Sequence, residues 1–511
     1  MTKSFLKKHY TIIKFIELFF DLFFVVFSFL LVVQIREIID NGNIIDAVVN
    51  LFTHFFDTYI NVLTTQILYI VIVLMFFIIY KASTTRKSYI EAMKSVILAL
   101  FVSNIVIILM AVLLGKTLVS PDIVMYTFLS QILVFAGYKY LFNKIISRIN
   151  KRRVLIIGPT EEARTIATKF LLEKEHSRYL KYVLFEEKMD NDKLIGYINQ
   201  VDDVVILQGL SEYNKNNIMS YCLSKKYTDV YLVPKLYEIN IVNSKIDQIR
   251  DTPVFVSQSL HLSLTQRFLK RFFDIIVSLI AFIVALPVFI IVPILIKAHD
   301  RGPVFYKQER VTRNDKNFML YKFRTMIVDA EKATGAVWQM ENDPRITRVG
   351  KFLRATRLDE LPQLLNVIKG EMSLIGPRPE REIFVKEFIK SIPDFRYRVN
   401  VKPGITGLAQ VLGKYNSEPD DKLRFDLIYI RNYSIWLDIK ILFLTIRAIF
   451  DRDSSATLGI PKLEDITRDL NLTLQEIDMG YLVNKEIKLW WKKCYLLLIW
   501  ILILLIFIYH I

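Results

Sequence analysis

At 511 residues, with 53% hydrophobic side chains and a mean hydropathy of +0.34, the chain is too apolar for an ordinary soluble enzyme and far too apolar for a disordered one. Its net charge of +16 raises the question of nucleic acid, but the cations flank apolar runs and no nucleic-acid module surrounds them, so no such partner is expected. Cys222 and Cys494 are the only cysteines, which excludes a disulfide framework and a cysteine-built zinc site.

Four apolar runs open the chain: Phe15–Ile35, Val62–Tyr80, Ser95–Gly115 and Ile123–Phe142. Each approaches the roughly 20 residues that a helix needs to cross a bilayer core. The first is long and no small-residue cleavage site follows it, so signal-peptide processing is not expected. Lys3, Lys7, Lys8 and Lys14, then Arg86, Lys87 and Lys94, then Lys144, Arg148 and Lys151–Arg153 mark the basic flanks. By the positive-inside rule these lie in the cytoplasm, as does the chain beyond Lys144. Glu17 and Asp21 fall inside the first run, one helical turn apart, where they suit the interface or a neighbouring helix.

From Lys151 the pattern becomes α/β. Val154–Gly158, Tyr182–Phe185, Val204–Leu207 and Val230–Val233 read as strands, with helical texture over Glu161–Glu173 and Asn214–Ser224. That alternation predicts a parallel, doubly wound sheet. A dinucleotide fingerprint needs Gly-x-Gly-x-x-Gly after the first strand. Here Gly158-Pro159-Thr160-Glu161-Glu162-Ala163 offers one glycine and two carboxylates, so the sheet is expected to be Rossmann-like but degenerate.

A fifth apolar run, Phe272–Ile296, has basic residues on both sides and holds Pro287 and Pro293. A helix that enters, breaks at Pro287 and returns reconciles both flanks with the cytoplasmic face; a kinked spanning helix is the alternative. Asp453–Lys488 reads as a mixed polar extension. The short apolar Cys494–Tyr509 closes the chain, long enough to cross once or to lie in the interface.

The chemistry-bearing stretch is Arg354–Asn366. Leu358, Leu361, Leu364, Leu365 and Ile368 recur at helical spacing, and Pro362 belongs in a first turn, so the helix starts near Leu358–Leu361. Asp359 and Glu360 therefore sit at a helix start beside Arg354 and Arg357. Alone, that is an ordinary acidic helix start. Gly376-Pro377-Arg378-Pro379 adds a stiff turn presenting an arginine fork suited to a diphosphate. Lys322 and Arg324 alternate along a short strand and so share a face. Lys402–Gly407 is a further glycine-bearing turn, by itself architectural. Carboxylates, phosphate-binding cations and a membrane-hugging helix suit phosphoryl transfer from a charged nucleotide to a lipid. With six histidines in all, Mg2+ on one or two carboxylates plus phosphate oxygens fits better than a histidine metal site.

Five ordered motifs, Lys270–Asp274, Tyr321–Met326, Arg357–Asn366, Gly376–Glu380 and Lys402–Gln410, resemble those of the bacterial polyprenyl-phosphate sugar-1-phosphate transferases, the monotopic phosphoglycosyl transferases. The longer layout looks like the enzymes that initiate capsule and exopolysaccharide synthesis. The resemblance implies a reaction of a UDP-sugar, expected to be a UDP-hexose, with undecaprenyl phosphate, releasing UMP. It implies Asp359 as nucleophile, Glu360 as the Mg2+ ligand, Arg354 and Arg378 near the phosphates, and Asp426 as a further acidic position. Three features depart from the family pattern: Leu286-Pro287 where Ser-Pro is frequent, Leu412-Gly413-Lys414 where Asn-Gly-Arg is common, and the apolar tail.

The expected organisation is a four-helix transmembrane region (1–150), a degenerate Rossmann-like α/β domain (151–265), a cytoplasmic α/β catalytic domain (266–453) with a re-entrant helix over 268–297, and a C-terminal extension (454–511). The expected setting is the cytoplasmic face of a bacterial inner membrane, among membrane lipids. A homo-oligomer is compatible with this layout. The competing readings are a non-catalytic membrane scaffold and a multispanning lipid-sugar transporter. The intact Asp359-Glu360 pair and Arg378 disfavour the first; the long polar cytoplasmic portion disfavours the second.

Overall fold

The computed structural model describes residues 10–485 except 42–54, 81, 84–88, 115–120, 150, 174–177, 226–227, 243, 258, 329, 331–342, 414–417 and 451–460. The apolar segment Cys494–Tyr509 and the basic residues Lys3, Lys7, Lys8, Arg86, Lys87 and Lys414 lie outside the described residues.

The apolar runs form α1 (Tyr10–Asn41), α2 (Phe55–Ile79), α3 (Tyr89–Leu114) and α4 (Pro121–Ile149). Tyr89–Met110 of α3 is by itself long and apolar enough to cross a membrane, and Ile67–Ile79 of α2 is a shorter apolar stretch. In α1 and α4 the apolar runs are interrupted by charge, and the charges meet: Lys139 of α4, fully buried, lies 2.8 Å from Glu17 and 2.7 Å from Asp21 of α1. Within α3, Ser103 and Asn104 donate back to the carbonyls of Ala99 and Leu100, which satisfies polar groups that have no water to turn to.

The α/β domain follows as β1 (Arg152–Gly158), α5 (Thr160–Leu172), β2 (Arg178–Phe185), α6 (Asn191–Ile198), β3 (Asp203–Ile206), α7 (Glu212–Ser224) and β4 (Asp229–Leu232). β1 pairs in parallel with both β2 and β3, and β3 with β4. Leu155, Ile157, Leu184, Val204 and Ile206 bury one face of this sheet, whereas Val154, Ile156 and Val183 bury the other. The strands are covered on both sides, so they read as continuous apolar runs. α8 (Leu236–Ile241) and a hairpin, β5 (Lys245–Ile249) with β6 (Thr252–Val256), lead out of the domain.

At the turn after β1, carboxylates occupy the backbone donors. Glu187 accepts from the Thr160 N–H at 3.2 Å and from its hydroxyl at 3.0 Å, and Glu162 accepts from the Gly209 N–H at 3.1 Å. A pyrophosphate brought there meets like charge. Saturating NAD is therefore expected to leave the thermal unfolding midpoint of the full-length protein unchanged; a rise that grows with NAD concentration contradicts this.

α9 (Leu264–Val284) begins with a capping box between Ser263 and Gln266. Lys270, Asp274 and Ser278, spaced by four, are buried, while Phe268, Phe272, Ile276 and Ile280 are exposed. The helix thus has a polar seam facing protein and an apolar face that is exposed among the described residues. Lys270 pairs with Asp438 at 2.8 Å, and Asp274 accepts from Ser373 Oγ at 3.0 Å and the Leu374 N–H at 3.1 Å. α10 (Leu286–Asp300) leaves at 57° to α9. The bend falls at Ala285, just before Pro287 rather than on it. Pro287 occupies the first turn of α10, where its missing N–H costs nothing, and its ring denies a straight continuation of α9.

The remaining elements are β7 (Phe305–Val311), β8 (Asn317–Phe323), α11 (Arg348–Ala355), α12 (Gln363–Lys369), β9 (Ser373–Ile375), α13 (Glu382–Ser391), β10 (Gly404–Thr406), α14 (Leu408–Leu412), α15 (Pro419–Arg431) and α16 (Ile435–Phe450). Phe318, Leu320, Val367, Ile375, Leu427 and Ile441 centre their common core. α16 reaches the N-terminal helices: the rings of Phe443 and Phe76 lie 4.6 Å apart, and Tyr80 donates to the Phe443 carbonyl at 3.0 Å.

Sequence texture suggests a separate extension after residue 453, but the structure returns the chain to the α/β sheet. α17 (Leu463–Asp469) packs on α5 through Leu463 and Ile466; β12 (Gly480–Lys485) then joins the sheet antiparallel to β2, and β11 (Leu472–Ile477) pairs antiparallel with β12. The order is β11-β12-β2-β1-β3-β4. The strand alternation in Leu472–Lys485 is diluted by charged residues on its exposed side, which hides the pattern.

Candidate active site

Arg357 adopts φ +59°, a left-handed conformation rare for a residue with a side chain, and so marks a deliberate turn between α11 and α12. Next comes a single 3-10 turn, Leu358–Glu360, and α12 begins only after Pro362. The sequence places a helix start here; the structure resolves it into this turn and then the helix, because Pro362 cannot donate inside a continuous one. Leu358 and Leu361 pack beneath the turn against α10 and α11.

This turn sets the two carboxylates in different company. Glu360 Oε1 accepts from Lys322 Nζ at 2.8 Å and from Arg378 at 3.4 Å. Burial works against its charge, yet Lys322 and Arg378 outweigh it and hold the carboxyl below the usual range. Asp359, 8% exposed, is pushed up by burial, opposed by Lys322 and Arg354 and reinforced by the Glu360 charge. The pair is therefore split, one firmly ionised and paired, the other costly to ionise and correspondingly basic.

Lys322 comes from β8, locked to α12 by Asn366. That buried amide donates to the Met319 carbonyl at 2.7 Å and to Glu371 at 2.7 Å, and its oxygen accepts from the Tyr321 N–H at 3.1 Å. Arg354, on α11, donates to Thr325 Oγ1 at 2.8 Å. Gly350 lets α11 approach this closely: a Cβ there would stand 2.0 Å from the Thr325 carbonyl oxygen.

Arg378 is presented by interlocking backbones. Gly376 donates to the Thr406 carbonyl and Gly404 to that of Pro377, each at 2.9 Å. A Cβ on Gly404 would lie 2.1 Å from the Gly376 nitrogen. The Lys402–Gly407 turn thus acts as architecture for the Arg378 turn. Arg310 supports its far side, donating to the Pro379 carbonyl at 3.2 Å.

Two expected site residues lie elsewhere. Arg324 does not join Lys322 beside the carboxylates. It falls past the end of β8 and pairs with Asp300, the last residue of α10, so it clamps the broken helix. Asp426 does not face the cleft; it is 1% exposed and accepts from Arg398 Nε at 2.6 Å, and Arg398 in turn donates to the Arg378 carbonyl at 3.1 Å. Sequence reading misses both Arg398 and Asn366. Arg398 sits in Phe395–Val399, where nothing local distinguishes it; Asn366 is a polar residue on the apolar face of a helix, and that was its signal.

No group of three or more His, Cys, Asp and Glu side chains gathers to hold a metal among the described residues. Mg2+ needs only one or two carboxylates when phosphate oxygens complete its shell, and the adjacent Asp359 and Glu360 fit that requirement.

The bacterial sugar transferase family matches residues 265–452, which span the broken helix and every residue of this site. The undecaprenyl-phosphate galactose phosphotransferase of Salmonella typhimurium is 33% identical over 351 residues, covering 62% of this chain and 71% of that protein. The chain belongs to the bacterial sugar transferase family. A UDP-N-acetylgalactosamine-undecaprenyl-phosphate N-acetylgalactosaminephosphotransferase of Aeromonas hydrophila is 43% identical over 223 residues, 43% of this chain and 52% of that protein. The UDP-glucose:undecaprenyl-phosphate glucose-1-phosphate transferase of Klebsiella pneumoniae is 39% identical over 223 residues, 42% of this chain and 48% of that relative. The match therefore spans about half the length of these two relatives.

Proposed function

We propose that this sugar transferase moves a sugar-1-phosphate from a UDP-sugar to undecaprenyl phosphate at the cytoplasmic face of a bacterial inner membrane. The observation that carries the reading is the split pair: buried, basic Asp359 beside Glu360, with Glu360 held by Lys322 and Arg378. An Asp359 carboxylate oxygen attacks the β-phosphorus, the bond from that phosphorus to the bridging oxygen breaks, and UMP leaves with the electron pair. An oxygen of the polyprenyl phosphate then attacks the same phosphorus, and Asp359 departs as a carboxylate. Lys322, Arg354 and Arg378 orient the diphosphate and offset its charge. Mg2+ would bind at Glu360, with Asp359 adjacent, and supply further charge neutralisation on the phosphate oxygens. The product, a lipid diphosphate sugar, suits the first membrane step of exopolysaccharide or capsule synthesis.

The donor is a UDP-hexose in this reading, glucose or galactose, and the relatives named for N-acetylgalactosamine and galactose make both obvious members of a test panel. Membranes holding the protein should release UMP from one such donor in the presence of undecaprenyl phosphate. Release from none of them overturns the proposal.

For topology, the apolar face of α9 and its bend into α10 support a helix that enters and returns; in this reading α1–α4 are the crossings, and Tyr89–Met110 of α3 supports one of them by length and apolarity. Thiol labelling in a Cys222→Ala, Cys494→Ser background should modify Thr265→Cys and Arg301→Cys from the cytoplasmic side alike. Periplasmic labelling at Arg301→Cys makes α9 and α10 a kinked span instead.

A further inference from the structure

We propose that the α/β domain is a positioning element for the transfer site, acting through α15, an inference that rests on the transferase reading above. In a doubly wound sheet the ligand crevice lies outside the carboxyl ends of the strands, where the strand order reverses. Here that point falls between β1 and β3. Its loop donors are already satisfied by carboxylates: Thr160 by Glu187, Gly209 by Glu162, and the Ser211 N–H by Glu186 at 2.9 Å. Instead of a ligand, the loop after β3 holds a helix, and the far end of α5 holds it too. Gln208, two residues after β3, accepts from Arg424 of α15 at 2.6 Å. Lys169 of α5 pairs with Asp421 of α15 at 2.8 Å, and Asp421 also holds Arg424 at 2.5 Å.

Residues two apart on an α-helix point about 200° from each other. Arg424 therefore faces the α/β domain and Asp426 points the opposite way, onto Arg398. Asp426 holds Arg398, Arg398 holds the Arg378 backbone, and Arg378 holds Glu360 at 3.4 Å. One rigid helix thus joins the loop after β3 to the arginine that orients the diphosphate. Gln208, Lys169 and Arg424 act through Arg378 and are positioning residues, with no contact to the reacting atoms.

The test uses full-length protein in nanodiscs, with UMP release as readout. Gln208→Lys sets a like charge against Arg424. It should raise KM for the UDP-sugar about five- to tenfold, the range of coupling carried between distant sites, without changing KM for undecaprenyl phosphate or the unfolding midpoint. Gln208→Glu keeps an acceptor for Arg424 and should restore the donor KM, as should Gln208→Lys combined with Arg424→Glu. An unmoved donor KM in Gln208→Lys overturns the positioning role alone. So does a parallel change in both KM values and the unfolding midpoint, or a failure of both restoring variants. A wild type that releases no UMP from any donor removes the transferase reading, and the positioning role with it.

Discussion

Asp359→Asn is expected to lose turnover by on the order of 1,000-fold or more, as befits removal of a nucleophile, while the protein keeps or gains thermal stability. The two effects have one cause. Burial raises the Asp359 carboxyl above its ordinary 3.8, so the charged form the chemistry needs is the form the fold disfavours. The sign comes from linkage: a carboxyl whose folded value is raised gives stability that is lost as pH rises through that value. An amide of the same shape carries no charge to bury. Wild-type turnover should therefore fall as pH drops through the raised Asp359 value, and the unfolding midpoint of Asp359→Asn at neutral pH should equal or exceed that of wild type. Retained turnover removes Asp359 from the chemistry; a clear drop in midpoint shows that its contacts stabilise the fold after all.

Glu360→Gln should show the opposite sign in stability. Burial opposes the Glu360 charge, but Lys322 and Arg378 hold it below the ordinary 4.5, so its contribution is present above that pH and is lost as pH falls through the folded value. The glutamine leaves both cations without their anion. At neutral pH the midpoint should drop, and the gap to wild type should narrow under acid. Turnover should fall about 100- to 1,000-fold, as when one preorganised charge is removed from a transition-state cradle. The Mg2+ concentration needed for half-maximal rate should rise. A variant with wild-type midpoint and wild-type Mg2+ dependence contradicts both assigned roles.

Local signals made much of this legible. The strands Val154–Gly158 and Val204–Leu207 are apolar on both faces because helices cover both sides, and such runs are readable without long-range knowledge. Asp359, Glu360 and Arg378 stood out through the five ordered motifs and the family resemblance, since the acid pair alone reads as an ordinary helix start; the structure brings Arg378 to Glu360. The hidden features depend on distant partners. Arg324 looks like a companion of Lys322 until Asp300 at the end of α10 is seen to claim it. Asp426 looks like a ligand until Arg398 fills its place. The strands of Leu472–Lys485 belong to a sheet whose other members lie almost 300 residues earlier, and no local pattern reports that pairing.

The covalent route is tested most directly by mixing the wild-type protein with its UDP-sugar and Mg2+, without undecaprenyl phosphate, and quenching at early times. One UMP per active site is expected in a fast burst, with sugar phosphate retained on the protein and discharged when undecaprenyl phosphate is added, and neither signal in Asp359→Ala. UMP that forms only when both substrates are present, or an undiminished burst from Asp359→Ala, contradicts the covalent route and makes the lipid phosphate itself the attacking group.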